Sequence, residues 1–98
     1  MSLPVVLDPE AREEFDDGYD FYQRRRMGKG EEFADAVQVG LDSISVNPRA
    51  HQMVFGDGRR GVVHNFPYCV YYREDATYVR VISVFHASRN PAIWRSRV

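Results

Sequence analysis

The spacing of apolar residues changes once along the chain, from a helical repeat to an alternating one. Over residues 8–27 apolar side chains recur at every third or fourth position, and acidic residues fill the remaining faces. Asp8 and Pro9 are typical of a helix start, and Gly28 is typical of a helix end. The pattern predicts an amphipathic helix over residues 8–27, preceded by a short strand in the apolar run "LPVVL".

A second apolar stripe runs through residues 30–46 at helical spacing. The pair Asn47 and Pro48 ends this segment, because the residue before a proline avoids helical geometry. Since the turn between the two segments is short, they are predicted to form an antiparallel helical hairpin. The stripe that faces the common core comprises Phe33, Val37, Leu41 and Ile44.

After Pro48 the apolar residues alternate with polar ones, which is typical of strands. Three strands are predicted, in "RRGVVHNF" after a turn at residues 56–58, in "YCVYYR" and in "TYVRVISVFH". The last segment carries apolar side chains on both faces, so it is predicted to lie in the interior of the sheet. One face takes Val79, Val81 and Phe85, and the other takes Ile82 and Val84.

The C-terminal segment "SRNPAIWRSR" predicts a short tail or terminal helix. Asn90 can cap this helix ahead of Pro91, which would turn Trp94 back onto the domain. The element order is then strand, helix, helix and three strands. We expect one α+β domain over residues 1–98, in which the helical hairpin covers one face of a mainly antiparallel sheet.

Charge is distributed unevenly, although the net charge of the 98 residues is only −1. Acidic residues outnumber basic ones by six up to Asn47, and basic residues outnumber acidic ones by five from Pro48 onward. Every basic residue of the second half is an arginine, whose planar guanidinium group suits carboxylates and phosphates. This half is the expected contact surface for an anionic partner; arginines scattered over a solvated sheet edge are the alternative.

Several features bear on the compartment and on cofactors. The single cysteine, Cys69, allows no internal disulfide and agrees with a reducing cytosol. No apolar run is long enough to cross a bilayer, and the N-terminus lacks the pattern of a secretion signal. His64 has no second histidine or cysteine at metal-ligand spacing. We expect a cytoplasmic protein with no membrane partner, no metal and no cofactor.

Four segments carry a resemblance to a known protein family. They are "VVLDPEAREEFDDGYDFYQRRRMGKGEEF", "ISVNP", "FPYCVYYRED" and "VRVISVFHASRNPAIWRSR". In this order and spacing they resemble the opening strand, helical hairpin, paired strands and terminal motif of the RelE/ParE superfamily of toxins. The resemblance implies a plasmid-stabilisation toxin of a type II toxin–antitoxin module. It also implies a cognate antitoxin that wraps over apolar grooves of the toxin.

The resemblance implies two alternative targets. ParE-like members poison DNA gyrase, whereas RelE-like members cut messenger RNA on the ribosome. The nuclease members carry an arginine early in the penultimate strand, but here that strand opens with Phe66, Pro67 and Tyr68. We therefore favour a gyrase inhibitor. A ribosome-dependent endoribonuclease and an inactive relic that only binds antitoxin are the alternatives.

Candidate site residues differ between these alternatives. A nuclease would use His86, Arg80 and Arg89, because RNA cleavage needs an acid, a base and cations for the phosphate. Alternation places Arg80 on the same face as His86. Structural roles are the alternative for Trp94, which could close the core, and for the arginines that end the first helix. The residues expected to contact the target or the antitoxin are Arg24, Arg25, Arg26, Arg73, Arg89, Trp94, Arg95 and Arg97.

Overall fold

The computed structural model describes residues 2–97. Both long helices end within two residues of their predicted bounds, and none of the described helices is long and apolar enough to span a membrane. Gly28 joins the helices in a left-handed conformation with φ of 90°, which glycine adopts without strain. The elements are β1 (Val5–Leu7), α1 (Pro9–Arg25), α2 (Lys29–Val46), a 3-10 turn (Pro48–Ala50), β2 (Gln52–Phe55), β3 (Gly58–Val62), β4 (Tyr68–Glu74), β5 (Val79–His86) and α3 (Ala92–Arg95).

The strands form one sheet in the order β1-β5-β4-β3-β2, in which the β1–β5 pair is parallel and the other pairs are antiparallel. The α1–α2 hairpin covers one face of this sheet. The predicted α+β architecture and the interior position of the last strand are confirmed. The prediction of three strands after the hairpin was wrong, because β2 is also a strand. It is a four-residue edge strand with an irregularity between Met53 and Phe55, too short to show alternation.

A β-bulge in β5 determines which of its side chains face the helices. The pairing of β4 with β5 shifts at Ile82, which has no residue directly opposite. Val84 consequently joins Val79 and Val81 in the core beneath the helices. Phe85 lies on the other face, beside a tyrosine of β4. The predicted faces of Val84, Phe85 and His86 were wrong, because one extra residue reverses the alternation that follows it, so His86 does not share a face with Arg80.

The main core fills the space between the hairpin and the sheet. In the α2 stripe Val37 and Ile44 are buried, whereas Leu41 is partly buried and borders a surface groove. Phe33 is fully buried at the centre of an aromatic cluster. Edge-to-face and stacked ring contacts add to the apolar burial and fix the hairpin on the sheet. The rings around Phe33 belong to Phe15, Tyr22, Phe66 and Tyr68.

Gly18 of α1 is expected to resist substitution by alanine. A Cβ atom at Gly18 would lie 2.8 Å from a ring carbon of Phe33, which is held by the aromatic cluster. The clash should cost about 1–3 kcal/mol, more than the roughly 0.5–1 kcal/mol that alanine gains over glycine within a helix. Gly18→Ala should therefore lower the urea midpoint. Gly40→Ala in α2 is the matched control, since its Cβ would meet no atom within 4 Å and should raise the midpoint. Equal shifts for the two variants would contradict the packing described.

Tyr72 is expected to make stability fall at high pH. Its buried hydroxyl donates a hydrogen bond to the Pro48 carbonyl at 2.6 Å, and burial raises its pKa from 10.0 to about 12. Between these two values the unfolded chain releases a proton that the folded chain keeps, so the free energy of unfolding falls as pH rises. Urea unfolding at about pH 9 and about pH 11 measures this loss. Tyr72→Phe should lose less stability over that interval, and an identical loss would exclude Tyr72 as the cause.

Candidate functional site

Arg80 is held by an ion pair at the junction of β1 and α1. Its Nε atom lies 3.0 Å from both carboxylate oxygens of Asp8, and an Nη atom lies 2.8 Å from one of them. The hydrogen bond to Asp8 raises the pKa of Arg80 further. Asp8 stands at the N-cap position of α1 as predicted, but its side chain makes no cap hydrogen bond there. The Arg80 guanidinium is therefore engaged by a carboxylate of its own chain.

His86 lies at the other end of β5 from Arg80. Across β4, His86 stands opposite Tyr68 and Arg80 stands opposite Arg73. At about 3.3 Å per residue the six steps between them span roughly 20 Å. Of the nuclease candidates, only Arg89 lies near His86, with its backbone N–H donating to the His86 carbonyl at 3.1 Å. This contact is through the backbone, and the Arg89 guanidinium lies 5.4 Å from the centre of the Phe85 ring, so the three candidate side chains do not converge on one point.

Local contacts orient the His86 ring. The Ser88 backbone N–H donates to Nδ1 at 3.1 Å, and the Ser88 hydroxyl lies 2.7 Å from the same nitrogen. The Tyr68 ring contacts the imidazole edge to face at 5.1 Å. Burial raises the pKa of the Tyr68 phenol. This group holds a histidine, a phenol and a nearby arginine, but no carboxylate lies within hydrogen-bond reach of the His86 ring in residues 2–97.

Four of the eight arginines after Asn47 are paired with carboxylates. Arg73, a predicted contact residue, lies 3.0 Å from Asp57, and that hydrogen bond lowers the pKa of Asp57. Arg59 donates instead to backbone carbonyls. Within residues 2–97, the second-half arginines with no carboxylate within 4.0 Å are Arg59, Arg60, Arg89 and Arg95. The paired arginines are Arg49, Arg73, Arg80 and Arg97.

Arg97 and Glu14 complete the hydrogen bonding of β5 where β1 no longer pairs with it. Strand β1 pairs with β5 only as far as Val81, and α1 begins directly afterwards. Beyond that point Glu14 of α1 accepts hydrogen bonds from the Val84 N–H and the Ser83 hydroxyl. Arg97 bonds Glu14 at 3.1 Å and also donates to a β5 carbonyl. The predicted contact residue Arg97 therefore has a structural role, fastening the C-terminal segment to α1 and β5.

Trp94 closes the face of the sheet that the helices leave open. Its side chain is 1% exposed and stacks on Tyr71 with ring centroids 4.0 Å apart. The predicted terminal helix is confirmed, with Asn90 accepting a hydrogen bond from the Ala92 N–H at 3.0 Å. Two guanidinium groups lie over the rings of this face, Arg95 on Trp94 and Arg89 on Phe85. We call this region the arginine–aromatic surface; it comprises Arg60, Tyr71, Phe85, Arg89, Trp94 and Arg95.

The arginines at the end of α1 form a second basic region. Arg24 donates to the Asp20 carbonyl at 3.3 Å, and the Arg25 guanidinium lies 4.4 Å from the centre of the Phe21 ring. Arg26 is paired with Glu32 of α2. Arg24 and Arg25 are exposed and lie in the last turn of α1, where they also stabilise the negative end of the helix dipole.

A groove of about 710 Å³, with both apolar and polar lining, lies between β1 and the helical hairpin. Leu3, Phe15 and Leu41 contribute apolar lining, and Arg12 and Asp42 contribute charged side chains. The resemblance implied grooves on the toxin, but the position of this one was not predicted, because Leu41 was expected to face the common core. Within residues 2–97 no group of three or more histidine, cysteine or acidic side chains is arranged to hold a metal ion.

Comparison with known proteins places this fold in a family. The fold resembles a solved structure described as "Chromosomal ParDE TA system from P. aeruginosa", with a TM-score of 0.77 and 10% sequence identity over 89% of this chain and 98% of that chain. The comparison with curated proteins gives no match. A family model described as "ParE toxin of type II toxin-antitoxin system, parDE" matches residues 5–91. This chain therefore belongs to the ParE toxin family of type II toxin–antitoxin systems.

Proposed function

We propose that this ParE-family toxin arrests growth by binding DNA gyrase in the cytoplasm, and that the antitoxin of its module neutralises it. The observation that favours binding over RNA cleavage is the separation of Arg80 from His86 along β5. RNA cleavage needs an acid, a base and a cation within reach of one phosphate. Arg80 is instead bound to Asp8 at the far end of the strand. Gyrase as the target is what the ParE-like resemblance implies.

Target contact is proposed for the arginines that lack a carboxylate partner. Arg89 and Arg95 lie on the arginine–aromatic surface, and Arg24 and Arg25 lie at the tip of the hairpin. Unpaired guanidinium groups are available to carboxylates of another protein. The other predicted contacts, Arg26, Arg73 and Arg97, are already paired within the chain and should contribute less.

Antitoxin binding is proposed at the groove beside β1, whose lining is partly apolar. The matching family is described as belonging to a type II toxin–antitoxin system, parDE, and the similar P. aeruginosa structure as a ParDE TA system, so both descriptions pair a toxin with an antitoxin partner. A groove with Phe15, Leu41 and Leu3 in its walls suits an apolar segment of such a partner. The hairpin tip and the arginine–aromatic surface remain available for further contacts.

Growth assays separate the three candidate functions. Wild-type toxin and the His86→Ala variant are induced with and without the antitoxin encoded beside the toxin gene. We expect both toxins to arrest growth equally and the antitoxin to restore it in both strains. Arrest that disappears in His86→Ala, together with cut messenger RNA in the wild-type strain, would instead identify a nuclease. Normal growth with a folded wild-type toxin would indicate an inactive relic that only binds antitoxin.

A further inference from the structure

A second, smaller pocket lies on the face of the sheet that the helices leave open. It has a volume of about 420 Å³ and is bordered by β2, β3, β4 and α3. This is near the lower end of ligand pockets, which usually measure about 300–1,000 Å³. A pocket of this size accommodates a side chain rather than a helix. The residues that give it its chemical character are Gln52, Met53, Arg60, Tyr71, Trp94 and Arg95.

Two unpaired cations border this pocket. Burial raises the pKa of the Tyr71 phenol. The positive charges of Arg60 in β3 and Arg95 in α3 lower it, which shows that both arginines lie near this phenol. Neither arginine has a carboxylate within 4.0 Å in the part of the chain that the structure describes. Arg60 donates a hydrogen bond to Gln52 Oε1 at 2.8 Å and also interacts with the Tyr71 hydroxyl, and its guanidinium has further donors for a ligand.

The pocket also borders a buried hydrogen-bond donor. The indole N–H of Trp94 is buried and has no acceptor among residues 2–97. An unpaired buried donor destabilises the state that contains it. The two cations at the border of the pocket favour a ligand that carries negatively charged oxygen atoms.

We propose that this pocket, the carboxylate pocket, binds a glutamate or aspartate side chain of an acidic peptide segment in a protein partner. A planar carboxylate matches the guanidinium fork, and the walls formed by Met53, Tyr71 and Trp94 suit the apolar stem of such a side chain. A nucleic acid is a poorer match. It would require a row of cations, whereas the chain has a net charge of −1 and the pocket has two arginines. The inference goes beyond the proposed function and does not depend on gyrase being the target.

Trp94 provides the readout, because it is the only tryptophan of the chain and lines the pocket. The full chain is titrated with a short polyglutamate peptide while tryptophan fluorescence is recorded. We expect a saturable change, with a Kd raised about tenfold or more in Arg60→Gln and in Arg95→Gln. Arg49→Gln is the matched control, since it removes an exposed arginine that is paired with Glu74 away from the pocket. It should bind as the wild type does.

Two further measurements make the outcome decisive. Circular dichroism of each variant establishes that lost binding is not lost folding. A single-stranded oligonucleotide of equal charge is titrated in parallel, and it should bind more weakly than the peptide. The proposal is overturned if the peptide leaves the fluorescence unchanged, if folded Arg60→Gln and Arg95→Gln bind as tightly as the wild type, or if the oligonucleotide binds more tightly than the peptide.

Discussion

Replacement of Glu14 by alanine is expected to lower the free energy of unfolding by about 3–5 kcal/mol. Glu14 and Arg97 are largely buried, with side chains 11% and 20% exposed. Removal of the carboxylate would leave the Arg97 charge without its partner. It would also take an acceptor from the Val84 N–H and the Ser83 hydroxyl. The loss approaches the whole stability of a small domain, which is about 5–15 kcal/mol.

Urea unfolding of Glu14→Ala beside Glu13→Ala measures this effect. Glu13 is an exposed neighbour in the same turn of α1, so its replacement should change stability by less than about 0.5 kcal/mol. Glu14→Gln keeps an acceptor but loses the charge, so its free energy of unfolding should lie between those of Glu14→Ala and Glu13→Ala. If Glu14→Ala were as stable as Glu13→Ala, the ion pair would not be what completes the edge of β5.

The Trp94→Ala variant is expected to lose about 3–5 kcal/mol, because it empties the volume of a buried indole. Trp94 stacks on Tyr71 and contacts Phe55, so it covers the face of the sheet that the helices leave open. Without this ring, α3 keeps only exposed apolar contacts and should separate from the sheet. Amide hydrogen exchange should therefore increase in β3 and β4 as well as in α3.

Two further variants, one at an exposed neighbour of Trp94 and one that keeps an aromatic ring, are the controls for this prediction. Ile93 is 41% exposed, so Ile93→Ala should cost less than about 1 kcal/mol. Trp94→Phe keeps an aromatic ring and removes the unpaired indole N–H, so it should cost clearly less than Trp94→Ala. A Trp94→Ala protein as stable as Ile93→Ala would show that α3 does not close the sheet.

The helices could be predicted from sequence because their signals are local. The apolar stripes, the proline after Asn47 and the flexible Gly28 act within a few residues of one another. The faces of Val84 and Phe85 could not be predicted. They depend on the extra residue at Ile82, and a bulge is visible only when the partner strand is known. The edge strand β2 was missed for a related reason, since its four residues are too few to show a period.

The arginine-rich half was visible in the sequence, but its division into paired and unpaired arginines was not. Arg80 meets Asp8, and Arg97 meets Glu14, across more than seventy residues of chain. Only the parallel pairing of β1 with β5 brings the start of α1 to these arginines. Arg60 was not a candidate, because its neighbours in the carboxylate pocket come from β2, β4 and α3. Contacts of this kind follow from topology rather than from local pattern.

Plasmid cleavage by gyrase tests most directly whether this toxin acts by binding to gyrase. Purified toxin is mixed with gyrase and supercoiled plasmid, the proteins are denatured and digested, and linear plasmid is quantified by electrophoresis. We expect linear plasmid to accumulate with wild-type toxin and equally with His86→Ala, and not when gyrase is omitted. If a large molar excess of folded toxin left the plasmid uncleaved while the same preparation cut ribosome-bound messenger RNA, gyrase binding would be excluded.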